Sequence, residues 1–290
     1  MANLKQLRRR IQGIKNTQQL TRAMKLVAAA KLRRAQEAVE ALRPYAETLD
    51  QMIQHVAHTE DADLHPLLRR REMKKVRILV LSSDKGLCGT FNANVNRAVE
   101  QYLREEAPKF EQCELLMVGR KGEEYLSRRE APIHKYYKGI LDKVDYSTAS
   151  TLGDDISAAY IAEDIDGLFI VYNQFRSALV QTLTWKQLLP MPEVGGQTTE
   201  RIGNTEHIYE PTEAEVLDRM LPLYVDMQIY RALKESQASE MGARMTAMDN
   251  ATNNAADLIE RLTLQYNKAR QETITNELMD IVGGAEALNG

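Results

Sequence analysis

Both ends of the chain carry apolar residues at alternating spacings of three and four, the pattern of a helix that buries one seam against a partner. At the N-terminus the stripe runs through Leu4, Leu7, Ile11 and Ile14. It resumes after a slip at Leu20, Met24 and Val27, and after a second slip continues through Ala35, Ala38, Leu42, Tyr45, Leu49, Met52 and Val56. At the C-terminus it runs through Met241, Met245, Met248, Thr252, Ala255, Ile259, Leu262, Tyr266 and Ala269, then shifts phase to Ile274, Leu278, Ile281 and Ala285. Seams this long need another helix, and the obvious one is the other end of the same chain. Two terminal helices paired antiparallel make a rod, with the middle of the chain bulging from its side. A rod points to a mechanical or scaffolding role.

Between the ends the periodicity changes. Val76–Leu81, Leu115–Val118, Ile133–Tyr137 and Leu168–Tyr172 are short, apolar and rich in β-branched residues, and Leu179–Leu183 alternates before Trp185. Helical patterns lie between them, near Val95–Glu106, Gly122–Arg128 and Leu152–Glu163. Strands alternating with helices predict a Rossmann-like α/β domain with a mostly parallel sheet. The expected organisation is a coiled-coil helix over 1–58, kinked at Pro44, a linker over 59–75, the α/β domain over 76–205 and a second coiled-coil helix over 206–290. Proline kinks or breaks a helix, and the last one is Pro222. A helix from Thr212 to Ala285 is on the order of 110 Å long at 1.5 Å per residue, longer than any sheet it could cover.

Composition narrows the functional classes. Of 290 residues 27% are charged and only 6% aromatic, which suits long solvated helices better than one large core. The net charge of -3 gives no global case for nucleic acid. Cys88 and Cys113 are too few for a disulfide framework. No apolar run is long enough to span a bilayer, and direct membrane insertion is not expected. The charge is unevenly spread: residues 1–36 hold Lys5, Arg8, Arg9, Arg10, Lys15, Arg22, Lys25, Lys31, Arg33 and Arg34, with no Asp or Glu. Positive charge near a helix N-terminus opposes the macrodipole at about 0.3–1 kcal/mol per group. An acidic protein surface against this helix would offset that; nucleic acid or an anionic membrane are the other candidates, and a solvated basic face is the plain alternative.

Candidate chemistry is sparse. The segment Ser82–Asn92 follows the first strand and opens a helix, where nucleotide-binding proteins keep a phosphate loop. It lacks the G-x-x-x-x-G-K-[ST] spacing, and no G-x-G-x-x-G occurs. A tight turn with glycines permitting close packing is the better reading. Cys88 within it has no matching His. His55 and His58 share a helix face without further ligands. Asp154, Asp155, Glu163, Asp164 and Asp166 read as caps and surface. No cofactor, metal or catalytic constellation is predicted. The stretch Asn267–Glu277 is polar on several sides, suggesting hydrogen bonds to a surrounding partner.

Three motifs then resemble one family. Ile274-Thr275-x-Glu277-x-x-Asp280-x-x-x-Gly284-Ala285-x-Ala287 is similar to the C-terminal signature of the gamma subunits of F-type ATP synthases. Thr21–Lys31 resembles their first-helix motif, and Ser83–Gly89 the motif after the first strand. The resemblance covers the whole chain in order. It implies a non-catalytic central stalk whose paired terminal helices lie inside a ring of alpha and beta subunits. It also implies a central domain that stands, with epsilon, on the membrane c-ring. Ion flow turning that ring would drive the beta sites. Met24 and Lys25 match positions that face an acidic loop of beta, with Arg8 and Arg9 on the same basic helix. Arg270, Gln271, Thr275 and Glu277 match contacts with a beta loop higher in the ring, and Tyr209 the foot near the c-ring. The loop Pro190–Asn204 lacks the cysteines of the chloroplast regulatory insertion, and no transit peptide is evident. Both favour a bacterial member at the cytoplasmic face of the cell membrane. The competing readings are a nucleotide-binding enzyme with a coiled-coil arm, which lacks its phosphate-loop lysine, and a basic coiled-coil nucleic-acid binder, which the mixed charge after residue 36 disfavours.

Overall fold

A computed structural model describes residues 4–56, 65–142, 144–191 and 212–289. The expected loop beyond Met191, Tyr209, His58 and His207 lie outside the described residues. In chain order the elements are α1 (Leu4–Val56), β1 (Lys75–Leu81), α2 (Phe91–Glu105), β2 (Gln112–Val118), α3 (Arg120–Ser127), β3 (Ile133–Tyr137), α4 (Tyr146–Ile161), β4 (Gly167–Phe175), β5 (Gln181–Leu189) and α5 (Glu213–Asn289). They form two compact units, one of Ala29–Arg244 and one of the helix segments up to Ala28 and from Met245.

In the larger unit the five strands lie in the order β3-β2-β1-β4-β5. β1 pairs in parallel with β2 and β4, and β2 with β3; β5 runs antiparallel to β4. This is the mostly parallel sheet that the alternating strands and helices predict. Successive side chains of a strand face opposite sides, so β1 feeds two cores. Leu79 and Leu81 join Leu116, Val118, Leu168 and Ile170 under α4 and parts of α1 and α5, where Leu49, Ile53, Leu221, Val225 and Leu233 are buried. Ile78 and Val80 join Leu115, Met117 and Val171 beneath Val95 and Val99 of α2 and Leu126 of α3. On that side Tyr102 stacks on Trp185 with ring centroids 4.7 Å apart.

α1 continues through Pro44, as expected from the unbroken seam. Other local details differ from the sequence expectation. α4 starts six residues before Leu152, because the side chain of Asp145 caps it, accepting the Thr148 N–H at 3.0 Å. The last strand starts at Gln181 rather than Leu179; Leu179 and Val180 are exposed in the preceding turn. Asp166 is no surface acid. It accepts the N–H of Lys75 at 2.8 Å and pairs at 3.3 Å with Arg71, which also donates to the carbonyls of Tyr160 and Ile165. That network, with Leu67 fully buried, docks the chain entering β1 onto the end of α4.

Candidate functional site

The smaller unit pairs the start of α1 with the end of α5, and burial along α1 shows how. Leu4, Leu7, Ile11, Ile14, Gln18, Thr21, Lys25 and Ala28 are all buried or half-buried, at strictly alternating spacings of three and four. In the larger unit the same alternation continues through Leu32, Ala35, Val39, Leu42, Ala46, Leu49 and Ile53. The slips expected from the apolar pattern are therefore absent. Leu20, Val27, Tyr45 and Met52, expected in the stripe, are exposed. The seam keeps its phase by running through polar Gln18, Thr21 and Lys25, which a search for apolar residues passes over.

Two polar links fix the alignment of this unit. Thr21 Oγ1 lies 2.8 Å from Thr252 Oγ1, and Lys25 Nζ lies 2.6 Å from Asp249 Oδ1. The helices are antiparallel, so stepping back along α1 from Thr21 to Leu4 steps forward along α5 from Thr252 to Ala269. Burial agrees: among the described side chains of α5 Ala269 is the last that is half-buried, and Arg270 to Gly284 are exposed. The overhang includes Ile274, Leu278, Met279, Ile281 and Val282, all apolar and all exposed.

Of the residues singled out from sequence, Arg8 and Arg9 are exposed on α1, and Arg270, Gln271, Thr275 and Glu277 are exposed on the overhang. Met24 and Lys25 are half-buried. Lys25 points its charge at a carboxylate of its own chain. The phase shift read at Ile274 coincides with the point where the chain stops supplying its own partner helix.

The larger unit holds a second charged feature, which the sequence reading missed. A cavity of about 350 Å³ is lined by Lys31, Arg34, Lys85, Lys234, Arg244 and Glu240, among others. Arg244 Nη2 lies 2.7 Å from Glu240 Oε1, and both side chains are about nine-tenths buried, at 11% and 10% exposure. Burial pushes the Glu240 carboxyl above the usual range, and Arg244 opposes that shift. The same guanidinium donates to the carbonyls of Lys85 and Gly86 at 3.3 Å. The basic residues come from three distant segments, so no local pattern announces them.

The loop after β1 is a packing device. The Ser82 hydroxyl lies 3.1 and 3.0 Å from the carbonyls of Val118 and Gly119 and accepts the Gly122 N–H at 2.9 Å. A Cβ on Gly119, whose φ is +97°, would come within 2.4 Å of the Ser82 carbonyl oxygen. The Ser83 N–H, which a phosphate would need, is taken by Asn92 Oδ1 at 2.9 Å. Cys88 is buried, and burial pushes its thiol up, away from the thiolate a nucleophile requires. His65 pairs with Asp218 at 3.2 Å and His134 with Glu114 at 3.0 Å. Among the described residues no three His, Cys, Asp or Glu side chains converge as a metal site, and no helix is long and apolar enough to cross a membrane.

Comparison with known proteins accounts for this arrangement. The family model described as ATP synthase matches residues 3–288. The ATP synthase gamma chain of Geobacter metallireducens is 47% identical over 100% of both chains. That of Sorangium cellulosum is 41% identical over 99% of both. Among solved structures, the central stalk and c-ring assembly of the Tetrahymena thermophila mitochondrial ATP synthase contains a chain similar at a TM-score of 0.61. It is 26% identical, covering 80% of this chain and 99% of that one. A chain of the Euglena gracilis mitochondrial enzyme shares the fold at a TM-score of 0.68 and 20% identity, covering 98% of this chain and 94% of that one. Matched by the family model over residues 3–288 and by relatives over their full length, this chain belongs to the ATP synthase gamma chain family.

Proposed function

We propose that this chain is the central-stalk rotor of an ATP synthase, carrying no catalytic residue of its own. It transmits the rotation of a membrane ring of c subunits to the nucleotide sites on the beta subunits. The observation that carries the reading is the overhang of α5. Fifteen residues, Arg270–Gly284, are exposed, yet five of them are large and apolar. An apolar stripe left open by its own chain calls for a surrounding partner. A sleeve of alpha and beta subunits is that partner. Arg270, Gln271, Thr275 and Glu277 supply its polar contacts; Arg8, Arg9 and Met24 face it lower on the shaft. The larger unit stands with epsilon on the c-ring, where Tyr209 makes contact. In a bacterium this puts the chain at the cytoplasmic face of the cell membrane, held there by its partners.

The test begins with co-purification: alpha, beta and epsilon subunits should accompany the chain. A Leu278→Cys variant, with Cys88 and Cys113 replaced by alanine, should then react with a thiol reagent in the isolated chain and be shielded in the complex. Equal reactivity in both states would refute the sleeve.

A further inference from the structure

Within the smaller unit, three successive seam positions of α1 are polar: Gln18, Thr21 and Lys25. Thr21 is buried and meets Thr252 at 2.8 Å, and the Thr252 hydroxyl donates on to the Met248 carbonyl at 2.7 Å. Lys25 meets Asp249 at 2.6 Å, with side chains 39% and 43% exposed. A half-exposed ion pair adds little to stability, and the flanking Leu7, Ala28, Met248, Ala255 and Leu262 already hold the helices together. What the polar links add is direction. Apolar contact is non-directional and follows area, so it sets the level of one helix against the other less sharply than a polar pair does. Sliding one helix by a single residue's rise, about 1.5 Å, carries a hydrogen bond out of its narrow distance and angle range.

We propose that Thr21–Thr252 and Lys25–Asp249 are shear keys. They are positioning residues that stop α1 and α5 sliding along each other when the pair carries torque, and so hold Arg270–Glu277 at a fixed level. The proposal rests on the rotor reading. It also reassigns Lys25 from a partner contact to an internal link, because the chain's own carboxylate holds its charge.

Charge reversal separates the two roles. In the assembled complex, Lys25→Asp and Asp249→Lys each set like charges together. Each should soften the shaft in single-molecule rotation measurements and lower ions pumped per ATP hydrolysed severalfold, with the Tm of the complex unchanged. The double swap Lys25→Asp with Asp249→Lys restores the link and should restore both readouts. If Lys25 served an acidic partner, the swap would set a carboxylate against it and fail to rescue; that result overturns the proposal. So do single reversals with parental stiffness and pumping. Thr21→Val with Thr252→Val removes the other key at similar volume and should soften the shaft too; parental stiffness there also counts against it. A parental chain that does not co-purify with ring subunits would remove the rotor reading, and this proposal with it.

Discussion

Asp226 occupies the space that a side chain at position 153 would need: a Cβ built on Gly153 would lie 1.8 Å from Asp226 Oδ1. The carboxyl accepts from Tyr146 at 3.2 Å, and burial raises its pKa. Helix α4 can approach α5 this closely only because residue 153 has no side chain. Gly153→Ala should therefore destabilise the larger unit by about 1–3 kcal/mol, the usual effect of overpacking, although alanine is the better helix former. Chemical denaturation of the purified chain measures it; an unchanged midpoint would show that α4 shifts freely.

Arg244 and Glu240 should behave asymmetrically. Arg244→Ala strands a buried carboxylate, and breaking a buried pair from one side costs about 3–5 kcal/mol. Adding Glu240→Gln removes the stranded charge and should recover part of that loss. A double-mutant cycle on unfolding free energies reads the coupling directly. Additive single effects would mean that the two groups do not interact.

His65 makes stability depend on pH in a defined direction. Its Nδ1 accepts the Leu67 N–H at 3.1 Å, so the neutral ring fits the fold, and burial lowers its pKa below 6.5 despite Asp218. Below the unfolded value the unfolded chain binds the extra proton first. Stability from this group is complete above pH 6.5 and is lost as pH falls through the lowered folded value. Denaturant midpoints of the parent should fall more between pH 7.5 and 5.5 than those of His65→Gln. Equal slopes would place His65 outside the linkage.

Arg270 tests the overhang. Its guanidinium carries five donors in a planar fork suited to carboxylate or carbonyl acceptors. Losing one charge-assisted hydrogen bond costs about 1.5–3 kcal/mol, too little to prevent assembly through the many other contacts. At about 1.4 kcal/mol per factor of ten it is enough to change a rotary rate roughly tenfold. Arg270→Ala should leave subunit stoichiometry intact and slow multi-site ATP turnover. Parental turnover in a fully assembled complex would return Arg270 to the solvated face.

Much of the fold was readable because it is written locally. β-branched runs mark β1 to β4, and three-and-four spacing marks α5 up to Ala269. Leu20 and Val27 look like seam residues but are exposed, whereas Gln18, Thr21 and Lys25 look like surface and are in the seam. The polarity of Thr21 and Lys25 is satisfied by a helix more than two hundred residues away, as the 231-residue separation of Thr21 and Thr252 illustrates. The Lys31, Lys85 and Arg244 cavity was missed for the same reason: its charges converge only in three dimensions. The overhang, by contrast, left a trace in sequence as a phase shift at Ile274, just past Ala269, where cover by the chain's own helix ends.

The distance in sequence between Thr21 and Thr252 bears on how the chain is made. The N-terminal seam leaves the ribosome more than two hundred residues ahead of the helix it pairs with. Until that helix emerges, Leu7, Ile11 and Ile14 lack the partner that covers them in the folded unit. Exposed apolar stripes of this kind invite aggregation. The first 36 residues hold ten Lys and Arg and no Asp or Glu, so nascent copies repel one another. The charge imbalance thus opposes the pairing of two uncovered first helices with each other.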